Sequence, residues 1–147
     1  MGVFSGMDIS TTGMTAERTR LDIIAQNIAN VNTTRDADGG VYRRKSVIFQ
    51  EKAYPSFDET LATATNGMVG GGVKVSRIFE DNKSEVRMVY DPSNPDADEK
   101  GYVTYPNVNT VQEMTDMIDA TRAYEANVTA FDASKNMQLR ALQIGQS

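Results

Sequence analysis

Both ends of this chain carry apolar residues at helical spacing, and the stretch between them does not. Between Met7 and Val31, Met7, Met14, Leu21 and Ile28 recur every seven residues, and Ile24 and Val31 fill the intermediate position over the last turns. Between Val111 and Leu142, the residues Val111, Met114, Ile118, Thr121, Tyr124, Val128 and Phe131 step by three and four. At about 1.5 Å of rise per residue, such helices are roughly 40 to 50 Å long, more than the width of a compact domain of this size. They are expected to pair as a coiled-coil-like hairpin and to project. The resulting fold class is α+β: long N- and C-terminal helices with a small β-rich insertion between them. The segments fall at 1–33, 34–106 and 107–147.

Local signals set the element ends. Asp8 or Ser10 is suited to cap the first helix, and Gly13 inside it costs about 1 kcal/mol relative to alanine. Asn30, Asn32, Thr33 and Thr34 compete for backbone hydrogen bonds and end the helix before the turn Asp38-Gly39-Gly40. Strands are expected at Val41–Gln50, Val73–Phe79, Val86–Tyr90 and Tyr102–Tyr105. The Thr-, Ala- and Gly-rich stretch 53–72 is too long for a hairpin turn and reads as mobile. The last helix is expected to begin just after Pro106, capped by Asn107 or Asn109.

Each helix has two faces to account for. Leu21, Ile24, Ile28 and Val31 share one side of the first, while Ile23 lies nearly opposite. On the second, Met114, Ile118, Tyr124, Val128 and Phe131 form a stripe, and Ala123, Ala126, Ala130 and Ala133 oppose it. A single partner helix does not cover both faces. Alanine alone is equally at home on a solvent face, as a good helix former. With Ile23 beside it, the small-residue face is expected to meet copies of the chain or its relatives in a polymer.

Composition excludes most chemistry. The chain has no Cys and no His, which removes disulfides, a thiolate nucleophile, a histidine base and the usual zinc ligands. The net charge of -5 divides as -1, -2 and -2 over the three segments, so no basic half exists to hold nucleic acid or an anionic membrane. The one basic cluster, Arg43-Arg44-Lys45, reads as a strand end. Asp22 interrupts the first apolar run, and Asp119 and Arg122 the second, so neither reads as a membrane span. The N-terminus has no secretory signal pattern, and Gly6 stands where a myristoylation signal needs Ser or Thr.

Three motifs invite a chemical reading. Gly67-Met68-Val69-Gly70-Gly71-Gly72 is glycine-rich, but no Lys-Ser or Lys-Thr follows and the next element is a strand, so it reads as a turn rather than a phosphate loop. Asp96 to Gly101 begins like a calcium loop, yet Lys100 occupies the fifth position and Asn107 the closing one; an acidic turn with Asx hydrogen bonds is the better reading. Adjacent acids such as Asp58-Glu59 and Glu80-Asp81 read as solvated pairs. No catalytic, metal or cofactor site is expected.

Longer stretches carry a family likeness. Gln26-Asn27-Ile28-Ala29-Asn30-Val31-Asn32-Thr33 resembles the N-terminal signature of the bacterial flagellar axial proteins of the rod and hook. Val89-Tyr90-Asp91-Pro92-Ser93-Asn94-Pro95-Asp96, the run through Tyr105-Pro106-Asn107, and Met117-Ile118-Asp119-Ala120-Thr121-Arg122-Ala123-Tyr124 resemble the proximal-rod members of that family. The sequence departs from their pattern at Asn82-Lys83-Ser84-Glu85, where a Pro-rich turn is usual. The resemblance implies a non-enzymatic subunit of the rod within the cell envelope, exported through the flagellar type III apparatus without a cleaved signal. The partners it implies are other copies, proximal and distal rod proteins and the base-complex protein beneath the rod. A different rod or hook paralogue and a non-flagellar type III secreted coiled-coil protein are the competing readings.

Overall fold

The computed structural model describes residues 5–35, 39–52 and 71–145. Its elements are α1 (Ser5–Ala29), β1 (Lys45–Glu51), β2 (Val73–Glu80), β3 (Arg87–Tyr90), β4 (Tyr102–Tyr105) and α2 (Thr110–Ile144). The class is α+β, as the sequence implies. β1 pairs with β2, and β3 with β4, in two separate sheets. The expected mobile stretch lies outside the described residues except for Gly71 and Gly72. The chain forms two compact units, each drawing on both helices and on the middle segment. One comprises Met1–Thr19, Ile48–Arg77 and Ala120–Ser147; the other comprises Arg20–Val47 and Ile78–Asp119.

Helix α1 starts earlier than its expected caps. Asp8 and Ser10 lie inside it, and the Ser10 hydroxyl donates back to the Gly6 carbonyl at 3.0 Å instead of capping. Its end follows the expected competition: the Asn30 side-chain amide donates to the Gln26 carbonyl at 2.8 Å, and the Thr33 hydroxyl donates to Asn30 Oδ1 at 3.1 Å. At α2 the cap is Asn109, whose Oδ1 accepts from the Val111 and Gln112 amides at 3.0 and 3.4 Å.

In the first unit the helices meet through small residues. A Cβ added at Gly13 would stand 2.8 Å from Asn127 Oδ1, and one at Gly6 would stand 3.8 Å from the Ser134 hydroxyl. Both pairs step by seven residues, in opposite directions along the two helices, so these segments run antiparallel. Gly13 is therefore a site of close approach. Gly72, at φ +98°, leaves room for Thr12 and turns the chain into β2, where the Val73 amide donates to the Thr12 hydroxyl at 3.1 Å.

In the second unit β3 and β4 are antiparallel, with Val89 opposite Val103 and Tyr90 opposite Tyr102. Strand alternation turns Val103 fully inward and leaves Met88 and Tyr90 exposed. The rings of Tyr90 and Tyr102 meet edge to face at 5.3 Å. Between the strands, Asp91 and Asn94 make local turns, Asp98 Oδ1 accepts from the Lys100 and Tyr102 amides at 2.9 and 2.8 Å, and Gly101 takes φ +82°. The acidic run is thus a chain of Asx turns. Where a Pro-rich turn is usual, Asp81 organises the bend, accepting from the Lys83 and Ser84 amides at 3.0 Å each.

Because Gly13 is held open by Asn127, alanine there brings a helix-propensity gain of about 1 kcal/mol and a collision together. Gly13→Ala alone is expected to leave the thermal stability unchanged or lower. In an Asn127→Ala background the same substitution is expected to stabilise by about 1 kcal/mol. Circular-dichroism melts of the four chains check this, and equal stabilisation in both backgrounds would refute the close approach.

Candidate functional site

In the second unit, the C-terminal end of α1 is held by one fully buried amide, Asn27. Its Nδ2 donates to the Lys45 carbonyl at 2.8 Å and to Glu113 Oε2 at 2.9 Å, while its Oδ1 accepts from the Lys45 amide and the Tyr42 hydroxyl, each at 2.9 Å. Both donors and both acceptor positions are filled, which is the condition for burying such a group without penalty. Pairing with both N–H and C=O of Lys45 makes the side chain imitate a neighbouring strand.

Asn107 repeats the device just before α2. Its Oδ1 accepts from the Arg44 amide at 2.9 Å and its Nδ2 donates to the Asp81 carbonyl at 2.9 Å, beside the Asp81 amide that donates to the Arg44 carbonyl at 2.8 Å. Asn107 is thus not a helix cap because its amide is committed to the sheet end.

Glu113, in the first turn of α2, is also fully buried. Arg44 Nε donates to its Oε1 at 2.6 Å, and the Arg44 guanidinium continues to Asp116 at 3.0 Å and to the Ser46 hydroxyl at 3.1 Å. Both carboxylate oxygens are occupied, so Glu113 is a junction rather than a free acid or base. Lys45 Nζ lies 5.5 Å from the Tyr42 ring centre and 3.4 Å from Glu80. Asp81, at the edge of this cluster, has its carboxyl held below the ordinary value by hydrogen bonds from Ser84 and Lys83, aided by the nearby Arg44 charge.

The expected assembly residues divide unevenly. Ile24 is buried, and Leu21, Ile28, Val31, Tyr124, Val128, Phe131 and Ala123 are half-buried. Met114 and Ile118 are 57% and 54% exposed, so the stripe on α2 does not begin inside the chain. Ile23, expected to face outward, is only 6% exposed. Ala126, Ala130 and Ala133 are exposed. The physical reason is that the inward row of α2 starts at Glu113 and Ala120, both 0% exposed, one heptad apart. An acid with two fixed donors takes the place expected of an apolar residue. Asn27 stood within the quoted signature, yet only the fold shows it reaching Glu113; an acid in a first helical turn reads in sequence as a partner of the helix dipole.

Among the described residues no acidic cluster has the geometry to hold a metal ion, and no helix is long and apolar enough to cross a membrane.

Two family models match the chain. Residues 7–35 fit the one described as flagella basal body rod protein, and residues 99–144 fit the flagellar basal body rod FlgEFG protein C-terminal model. The first span contains Asn27 and the second contains Asn107 and Glu113. Among curated proteins, the flagellar basal-body rod protein FlgC of Borreliella burgdorferi is 46% identical over 99% of each chain. FlgC of Bacillus subtilis is 44% identical over 99% of this chain and all of its own, and FlgC of Aquifex aeolicus is 36% identical over 97% of each.

Glu113→Ala removes the partner of Arg44 Nε and of half the Asn27 amide's donation, while Arg44 keeps Asp116, and is expected to destabilise the fold by about 1 to 3 kcal/mol. Asp116→Ala removes only a partly exposed partner and is expected to change stability by less than about 1 kcal/mol. Denaturant titration of both variants checks the ranking; equal effects would mean the junction does not organise the unit.

The lowered carboxyl of Asp81 gives a pH dependence of definite sign. Its contribution is complete above the ordinary value of 3.8 and is lost as pH falls through the depressed value. Amide-exchange protection of Lys83 and Ser84 in the intact chain is expected to be constant above about pH 5 and to fall in stronger acid. Asp81→Ala should show low protection throughout.

Proposed function

Since the chain belongs to the FlgC family of flagellar basal-body rod proteins, we propose that its terminal helices are the elements by which it enters the rod wall. As a member it is a structural subunit of the flagellar basal body and assembles with other rod and basal-body proteins. The observation that carries the helix reading is the coincidence of the two family-matched spans with the two segments that meet at the Asn27–Glu113 contact. A rod subunit needs its terminal segments fixed in register, and this contact fixes them within one unit.

In this reading, neighbouring subunits cover the parts of α2 that the chain leaves exposed: Val111, Met114 and Ile118 on one side, and Ala126, Ala130 and Ala133 on another. The neighbours include proximal and distal rod proteins and the base complex beneath them. The subunit is exported by the flagellar type III apparatus without a cleaved signal and works in the part of the rod that crosses the envelope. Its mechanism is packing: torque is carried by helices that cannot slip, and no catalytic step is involved.

Two substitutions test this. Ile118→Asp places a charge where a dry contact is proposed, at several kcal/mol, and Ala130→Leu fills space needed for close helix approach. Both sites are exposed in the free chain, so its circular-dichroism spectrum is expected to stay unchanged. Motility should be lost, and purified hook-basal bodies should be missing or truncated at the rod. Normal swimming and intact rods containing either variant would sink the proposal.

A further inference from the structure

Three tripeptides in the chain have the form Asn-X-Ser/Thr with X other than proline, the pattern that accepts an N-linked sugar: Asn32-Thr33-Thr34, Asn82-Lys83-Ser84 and Asn127-Val128-Thr129. Transfer needs the asparagine amide free, and the hydroxyl two residues on, at an exposed turn that an enzyme can surround. The structure separates the three on that requirement. Asn127 lies within α2, half-buried, with its Nδ2 donating to the Ala123 carbonyl at 2.9 Å and its side chain against Gly13. The Thr129 hydroxyl is committed to the Glu125 carbonyl at 2.9 Å, so the helix withholds both groups. Asn32 is exposed, but the Thr34 hydroxyl donates to Asp96 at 2.7 Å, and Arg35 approaches the same carboxylate at 3.8 Å. Recognition there would break a contact between segments far apart in the chain.

Asn82 differs in each respect. It is exposed in the bend between β2 and β3, and its side-chain amide makes no hydrogen bond among the described residues. The Ser84 hydroxyl donates only to Asp81, the side chain that also accepts from the Lys83 and Ser84 amides. The bend is anchored at its stem, where the Asp81 backbone pairs with Arg44 and with the Asn107 amide. Its tip is held by local bonds and by one long bond from the Arg43 guanidinium to the Ser84 carbonyl, at 3.3 Å. The tip can therefore open while the stem stays closed. A proline between Asn82 and Ser84 would abolish the motif, and here, where a Pro-rich turn is usual, the chain has Lys83.

We propose that Asn82 is an N-glycan acceptor, taking a sugar from a phosphate- or diphosphate-activated donor. In the transfer a bond forms between Asn82 Nδ2 and C1 of the sugar while the C1–O bond to the phosphate breaks. The phosphate leaves with the bonding electrons, and a proton from Nδ2 passes to a base on the transferase. A sugar at this bend keeps the surface around it in solvent. The inference thus goes beyond the rod reading, to a face that neighbouring subunits do not cover.

Mass spectrometry of the chain recovered from whole cells of its own organism is the test. The peptide containing Asn82 is expected to carry at least one sugar residue, and those containing Asn32 and Asn127 to have unmodified mass. Asn82→Gln and Ser84→Ala should lose the sugar, and Ser84→Thr, which keeps the hydroxyl, should retain it. A strain blocked in export separates the two sources of donor. Sugar on the retained chain means a nucleotide-linked donor in the cytosol, and sugar only after export means a lipid-linked donor at the envelope. Unmodified Asn82 overturns the proposal wherever the chain resides, and leaves the rod reading untouched. Sugar at Asn32 or Asn127 in place of Asn82 overturns it equally. As an independent measure, the purified folded chain is incubated with a sequon-directed N-glycosyltransferase and uridine diphosphate glucose. Asn82 is expected to be labelled about tenfold faster than Asn127 or more, because Asn127 must wait for the helix contact to open, and equal rates would refute the selection.

Discussion

Two side-chain amides, one fully buried and one partly buried, carry the organisation of the second unit. Asn27 and Asn107 each bind backbone N–H and C=O groups around Arg44 and Lys45, doing the work of strands where no strand is available. Because a full set of partners surrounds Asn27, its position specifies where the chain from Tyr42 to Lys45 must run. Glu113 then fixes the first turn of α2 against the same point. An apolar residue at position 27 would bury as much surface but would leave the Lys45 backbone groups unpaired, and unpaired buried groups are the costly outcome.

This explains which parts of the fold were legible in the sequence. Strand and helix positions followed from alternation and heptads because those periods report directly on backbone geometry. The cap at Asn109, one of two candidates, and the Asx turn at Asp98 followed from local chemistry that needs no distant partner. The junction did not follow, because the significance of Glu113 depends on a residue 86 positions away. The inward face within the chain was not legible for a related reason. Apolar periodicity does not mark Gly13, Asn27, Glu113 and Ala120, which take inward positions while Met114 and Ile118 stay exposed and Ile23 is buried.

Small and polar inward residues have an energetic consequence. The chain buries few large side chains: Ile23, Ile24, Tyr42 and Val103 are the buried large apolar residues among those described, while a long series of apolar residues on α2 stays exposed. At about 25 cal/mol per Å² of apolar surface, such a core supplies modest stability to the free chain. The exposed apolar side chains, Val111, Met114, Ile118, Met137 and Leu142 among them, therefore add nothing to the stability of the free chain.

That distribution also accounts for the use of a charged network where a hydrophobic core would serve. Replacing a buried ionic cluster with apolar residues commonly preserves or raises stability, so stability alone is a poor reason to keep one. Register is a better reason. A purely apolar contact between the end of α1 and the start of α2 would tolerate more than one register. The bonds from Asn27 and Arg44 to Glu113 exist in one register, and a slip leaves buried donors and a buried carboxylate unmatched. The polar junction thus fixes the alignment of the end of α1 against the first turn of α2 within the second unit.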